Sequence, residues 1–406
     1  MTKTFLSLAL SCIVCNVSAQ QNRIDTIGPL APDLAAFGSY NVGVQTIEAV
    51  AGDRVDILNT SRGGDTAYYD RKLTLEIWYP ADLQGQEPGT QYQAITRNPE
   101  ITATLHGRAV RNARPQYQGG PYPLLIISHG YPGNRFLMSH TGENLASKGY
   151  VVVSIDHLES TYDNQQSFAS TLYNRPLDQR FVLNTLASIS AEEDQVLRGM
   201  IDAERTGLIG YSMGGYGLLN NLGAGYSEES IDGFLAPPNR LLEEHATSNP
   251  EYRNNLDLRI KAGFAIGPWG MNAGFWQSED LAGIDLPTFY LAGDQDSVAG
   301  YENGAHAIFN GATNSDRYLL TLLGAGHNAG APMPVPNELD NSENVEAAGH
   351  YRDANWDNVE MNNIMDHFVT AWFDTHLKSM DRQSSLGLVP SGYEDRLTLE
   401  HLSLGE

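Results

Sequence analysis

The chain is poor in cysteine. It has two, Cys12 and Cys15, both within the first 20 of its 406 residues. The rest of the chain can form no disulfide, and it offers no thiol nucleophile and no thiolate metal site. Positive charge is also scarce. There are five lysines (Lys3, Lys72, Lys148, Lys261 and Lys378), and the formal net charge is −24. A surface of that sign repels phosphate backbones, so no nucleic-acid partner is expected. It also stays soluble in salt, which suits a saline habitat. The apolar run from Phe5 to Val17 is short for a membrane span, and no stable membrane insertion is expected. Lys3 precedes that run and Val17-Ser18-Ala19 closes it. This layout predicts a signal peptide over residues 1–19, cleavage after Ala19, and a secreted or periplasmic destination. Neither cysteine follows a convincing lipoprotein box.

What is present is a globular composition: 41% hydrophobic and 18% charged residues, enough to build a core. Residues 71–79, RKLTLEIWY, alternate in the manner of a half-buried strand that Pro80 should stop. Residues 82–120 read as an irregular connection. Further on, LLIIS (124–128), VVVSI (151–155), LIG (208–210), AGFAI (262–266), TFYLAG (288–293) and RYLLTLLG (317–324) are continuous apolar runs. Such runs mark strands covered on both faces, and helical patterns lie between several of them. Strand–helix alternation of this kind predicts an α/β fold with a mostly parallel central sheet and helices on both faces. A closing amphipathic helix is expected over 362–377. Two longer stretches, 157–200 and 219–258, are expected to add helical insertions above the sheet. No linker divides residues 20–406, which read as one domain.

Ser212 sits in GYSMG, between Gly210 and Gly214, straight after the apolar LIG run. A strand that turns sharply into a helix leaves such a serine exposed, and side chains two residues away would collide with neighbouring elements. The sequence GYSEE at 225–229 lacks the second glycine and the preceding strand. A serine hydroxyl needs a base, and the base needs an orienting acid. His327 follows the RYLLTLLG run, and Asp294 and Asp296 follow TFYLAG. All lie at strand ends, where open α/β sheets place their chemistry. Asp296, three residues past Gly293, is the preferred acid, and Asp294 suits a turn cap. The order Ser212, Asp296, His327 is that of α/β-hydrolases. An oxyanion site would use the backbone N–H groups of Met213, after the serine, and Tyr131, in the HGYPG loop at 129–133. No metal or organic cofactor is called for. The acid-rich loop at 338–346 reads as solvated surface rather than as a calcium site.

The segments VGVQTI (42–47), LEIWYPA (75–81), PYPLLIISHGYPGNR (121–135), LASKGYVVVSIDH (145–157), RPLDQRFVLNTL (175–186), GYSMGG (210–215) and RLTLEHL (396–402) carry a resemblance. Together they resemble secreted bacterial α/β-hydrolases of the platelet-activating-factor acetylhydrolase and dienelactone-hydrolase-like group. The resemblance implies a serine carboxylesterase acting on small-molecule esters, with Ser212, Asp296 and His327 as its triad. Locally, HGY, GYSMGG, GPWGM (267–271) and GDQDSVAG (293–300) resemble cutinase-like polyester hydrolases. In that family an aromatic pair grips the acyl group, and here the pair would be Tyr131 and Trp269. The competing reading of Trp269 is core packing. Rival activities on the same fold are lipase, peptidase and thioesterase. A non-catalytic hydrolase-fold binding protein is the rival of a different class.

Overall fold

The computed structural model describes residues 21–404, so the expected signal peptide lies outside the described residues. Two long strands come first, β1 (Asn41–Val55) and β2 (Tyr68–Asp82). A hairpin of β3 (Thr90–Ile95) and β4 (Thr102–Gly107) joins Asn22–Arg23 in a separate three-stranded sheet. There follow β5 (Tyr122–Ser128), α1 (Ser139–Ser147), β6 (Val151–Asp156), α2 (Phe168–Ala191), β7 (Ile201–Tyr211) and α3 (Met213–Asn221). The remaining elements are β8 (Ile260–Ile266), β9 (Thr288–Gly293), α4 (His306–Gly311), β10 (Arg317–Leu322), α5 (Asn358–Lys378) and β11 (Leu397–Leu402).

The main sheet is ordered β11-β10-β9-β8-β7-β5-β6-β2-β1, with the two-residue strand Val110–Arg111 outside β1. Strands β5 to β10 are parallel, β11 is antiparallel to β10, β2 is antiparallel to β6 and β1, and Val110–Arg111 is parallel to β1. The continuous apolar runs are explained by two cores, one on each face of the sheet. Leu125, Ile127, Ile209, Phe264 and Phe289 face α1 and α5. Leu124, Ile126, Leu208, Ala265 and Tyr290 face α2, α3 and α4. On the first face Phe264 stacks on Phe289 at 4.8 Å, and Trp372 of α5 donates its indole N–H to the Gly263 carbonyl at 2.9 Å.

Three sequence expectations need correction. Strand β2 runs through Pro80 to Asp82, opposite Val42 and Asn41 of β1, and the Pro80 carbonyl still accepts the Gln116 N–H. Nor is β2 half-buried along its whole length: Lys72 and Thr74 alternate with buried neighbours as expected, but Glu76 and Trp78 are as inaccessible as Leu75 and Ile77. The indole of Trp78 donates to the Tyr92 hydroxyl at 2.9 Å, and Glu76 takes Thr46 Oγ1 at 2.7 Å and pairs with Arg111. Finally, residues 82–120 are not simply irregular, because they contain β3 and β4. The 157–200 stretch does hold a long helix, α2, but 219–258 holds only the end of α3 and short turns of helix.

Burial holds several histidines neutral, His140, His157 and His245 among them. Desolvation pushes His140, His157 and His245 down to about 3, helped at His157 by Arg175 and at His245 by Arg180. In each case the unfolded chain binds a proton that the folded chain refuses. Their stabilising contribution is therefore complete above an unfolded pKa of about 6.5 and is lost as pH falls from there toward 3. The free energy of unfolding should drop by about 1.4 kcal/mol per pH unit for each such histidine. His245→Gln should flatten the slope by about that amount in urea titrations between about pH 6 and pH 4.

Candidate active site

Ser212 joins β7 to α3 with φ 53° and ψ −114°, a backbone conformation that L-residues seldom adopt. The flanking glycines are steric necessities. A Cβ on Gly210 would lie 2.4 Å from the Gly214 carbonyl oxygen, and one on Gly214 would lie 1.9 Å from the Ser128 carbonyl oxygen. The backbone around Ser212 is tied down on both sides. Its N–H donates to Ile266 at 2.9 Å, and its carbonyl accepts from Trp269 at 3.2 Å.

The structure brings Ser212, His327 and Asp296 into one chain of contacts. His327 Nε2 lies 2.9 Å from Ser212 Oγ, and His327 Nδ1 lies 2.8 Å from Asp296 Oδ2. The other carboxylate oxygen, Asp296 Oδ1, accepts the Val298 and Ala299 N–H groups at 2.8 and 2.9 Å. Burial pushes the Asp296 carboxyl up. The His327 contact and the two N–H donors outweigh burial and hold it below the usual carboxylate range. Asp294 is the turn cap instead, accepting the Gly324 N–H at 2.6 Å.

A cleft of about 330 Å³ opens over Ser212 and His327. Tyr131 lines it, while Met213 is the first residue of α3, where backbone N–H groups have no intrahelical partner. Trp269 does not line this cleft. Phe168 stands between it and Tyr131, edge-on to both at 5.1 and 5.0 Å. The expected aromatic pair is therefore a filled row of three rings. The 219–258 stretch contributes nothing to the cleft lining, whereas Tyr162, just before α2, does. Sequence reading missed a further wall. Asn328, Gly349 and His350, beyond β10, line the cleft, with Asn328 Nδ2 donating to the Gly349 and Arg352 carbonyls.

Behind the site lies a second serine–histidine–aspartate chain. Ser128 Oγ is 2.8 Å from His157 Nε2, and His157 Nδ1 is 3.0 Å from Asp178. All three residues are at most 1% exposed, so no substrate reaches them. Arg71 grips Asp178 with two bonds of 2.9 Å, holding that carboxyl far below its ordinary range against the opposing effect of burial. The network positions the 129–131 loop. His129 Nε2 accepts the His157 backbone N–H, which leaves His129 Nδ1–H to donate to the Gly130 carbonyl at 2.7 Å. Arg175, fully buried and pushed down to about 9 by burial, donates to the His129 and Gly130 carbonyls and to Ser160. These buried partners are scattered in sequence. The only sequence signal for them was polar residues within otherwise apolar strands and helices.

Comparison with known proteins bears on the fold and on the segment that holds Ser212. Residues 109–231 match the family model described as PET hydrolase-like. Across 95% of its length the chain superposes on a ferulic acid esterase from Streptomyces cinnamoneus, all of which is covered, with a TM-score of 0.58 and 19% identity. The chain has the α/β-hydrolase fold. A cutinase 2 from Thermobifida cellulosilytica is 28% identical over 223 residues, covering 55% of this chain and 65% of the cutinase. A bis(hydroxyethyl) terephthalate hydrolase from Streptomyces coelicolor is 25% identical over 209 residues, 51% of each chain. The chain thus spans about half to two thirds of the length of these curated relatives. The matches support the cutinase-like part of the resemblance, and the acetylhydrolase part remains an expectation. Among the described residues no helix is long and apolar enough to cross a membrane, and no group of three or more His, Cys, Asp or Glu is placed to hold a metal ion.

The turn at Ser212 should tolerate no methyl group at Gly214. Gly214→Ala is expected to cost more than about 3 kcal/mol in chemical denaturation or to prevent soluble folding. Gly28→Ala, whose Cβ would meet Asn363 at an ordinary 3.5 Å, should stay within about 1 kcal/mol.

Proposed function

We propose that the protein is an exported serine carboxylesterase that hydrolyses carboxylic esters through an acyl-enzyme. The observation that carries this reading is the Ser212–His327–Asp296 contact chain at the edge of an open cleft. His327 Nε2 takes the Ser212 proton as Oγ attacks the ester carbonyl, and it then passes that proton to the leaving alcohol. The Asp296 carboxylate accepts from Nδ1, keeps the ring in the tautomer that presents a basic Nε2, and stabilises the imidazolium. Water then attacks the acyl group by the same route in reverse.

The tetrahedral oxyanion requires two N–H donors. Met213 supplies one from the start of α3, where the helix dipole favours negative charge. The second follows from the buried cation. In a trans peptide the carbonyl and N–H point in opposite directions. Arg175 and His129 hold the Gly130 carbonyl on the interior side, which leaves the Tyr131 N–H directed away from them. A Cβ on Gly130 would meet Ser212 Cβ at 3.3 Å, so this peptide passes directly beside the nucleophile.

Polyester hydrolysis is supported equally by the PET hydrolase-like match and by the cutinase and terephthalate-ester hydrolase relatives. Against it stand the walls added before α2 and after β10, together with Phe168 between Tyr131 and Trp269. Export is supported by the layout of residues 1–19.

Ser212→Ala should lower kcat on 4-nitrophenyl acetate or butyrate by at least about 10³-fold and abolish labelling by a fluorophosphonate probe. Retention of either activity would falsify the assignment. Arg175→Gln should lower kcat about 10- to 100-fold with a much smaller change in KM. An effect confined to KM would show that Arg175 does not act through the oxyanion peptide. Release of acids from polyester film, compared with turnover of bis(2-hydroxyethyl) terephthalate, separates the polymer reading from the small-ester reading.

A further inference from the structure

One cation in the cleft is unaccounted for. Arg97 lines the same cavity as Ser212 and His327 and is half-buried. Among the described residues its guanidinium has no ion pair, hydrogen bond or aromatic partner. The other arginines of which this is true, Arg62, Arg114 and Arg253, are exposed to water. In a chain carrying a net charge of −24, acids are abundant, and half-buried arginines such as Arg54 and Arg135 are paired with them. Keeping a guanidinium out of bulk water without a counter-ion is unfavourable unless something else supplies one.

The position of Arg97 is built rather than accidental. It lies in the turn of the β3–β4 hairpin, which Thr96 N–H closes onto the Ile101 carbonyl at 2.9 Å. That turn is fastened to both sides of the cleft. Asn134 donates to the Ile95 carbonyl at 2.6 Å, the Arg97 backbone N–H donates to the Tyr351 hydroxyl at 3.1 Å, and Asn98 bonds Asn344 at 2.9 Å. The main chain is fixed by the segments that follow β5 and β10, while the side chain is left free beside Tyr131, Tyr162 and His350. Its charge is felt at the Tyr162 and Tyr211 hydroxyls, where it opposes the upward push of burial. The neighbouring lining, Tyr131, Leu137, Tyr162 and Val298, is mainly apolar or aromatic. The cavity therefore presents a reactive serine, an apolar middle and a fork of N–H donors suited to a carboxylate.

We propose that Arg97 makes the cleft selective for half-esters of dicarboxylic acids, gripping the free carboxylate while the ester carbonyl lies at Ser212. The inference rests on the ester-hydrolase reading and goes beyond it by naming the substrate class. The acidic surface repels such anions at long range, so a preference for them must arise locally, inside the cleft.

The test uses isosteric pairs that differ in charge: monomethyl terephthalate against methyl 4-carbamoylbenzoate, and monomethyl adipate against methyl adipamate. In the full-length protein the ratio of kcat/KM for anionic to neutral ester should be roughly tenfold or more for at least one pair. Arg97→Gln should bring that ratio close to one, and Arg97→Lys should leave it in between, since it keeps the charge and loses the fork. The Arg97 side chain has no partner among the described residues, so both variants should melt within a few degrees of the parent. A parent ratio near or below one, or a ratio unchanged in Arg97→Gln, overturns the proposal while leaving ester hydrolysis intact. Failure of all four esters together with no fluorophosphonate labelling at Ser212 overturns the ester-hydrolase reading and this inference with it.

Discussion

The site depends on a backbone contact. The Cα of Gly214 lies so close to the Ser128 carbonyl that even a methyl group would stand 1.9 Å from that oxygen. This approach lets α3 begin directly above the paired ends of β5 and β7. It brings three things together: a strained Ser212, the free N–H at the start of α3, and the 129–131 loop that follows β5. A wider spacing would leave an ordinary strand–turn–helix with the loop and the serine out of register. The positive φ at Ser212 costs about 1–3 kcal/mol and persists because Ile266 and Trp269 hold its backbone on either side.

A second layer is polar and buried. Arg71, Asp178, His157 and Ser128 form a continuous chain beneath the sheet ends, His157 N–H links it to His129, and Arg175 holds the carbonyls of His129 and Gly130. Buried ionic groups of this kind are weak contributors to net stability, and breaking one partner is costly. Their value here is directional, because Arg175 and His129 fix the orientation of the 129–131 peptides beside the cleft. The contact geometry of Ser128–His157–Asp178 matches that of Ser212–His327–Asp296, yet no ester can reach it. Access to solvent, rather than the serine–histidine–aspartate chain itself, separates the two.

The central strands could be read from the sequence because a parallel strand buried on both faces must be apolar at every position, as in LLIIS and TFYLAG. The elbow was also visible, since a glycine two residues before and two after a serine has a local steric cause. Elsewhere a local pattern misled. Trp78 and Glu76 alternate with Leu75 and Ile77 as if they faced water, yet α1 covers Trp78 and arginines from distant segments pair with Glu76. Pro80 reads as a stop, but β1 and the 114–116 segment carry the strand past it. The β3–β4 hairpin, the wall beyond β10 and Phe168 all escaped, because each is ordered by contacts with chain more than 30 residues away or lies in a segment without periodicity.

The sequence by itself determined the parallel-sheet core, the chain order of serine, acid and base, and the sharp turn at Ser212, since apolar continuity, strand-end position and glycine spacing are properties of neighbouring residues. Only the tertiary structure decided that Asp296 rather than Asp294 reaches His327, that Phe168 fills the space between Tyr131 and Trp269, and that Arg97 lines the cleft with no counter-ion among the described residues. Each of these depends on distances between segments far apart in the chain, and such distances are set by how sheet, helices and loops pack rather than by any local pattern.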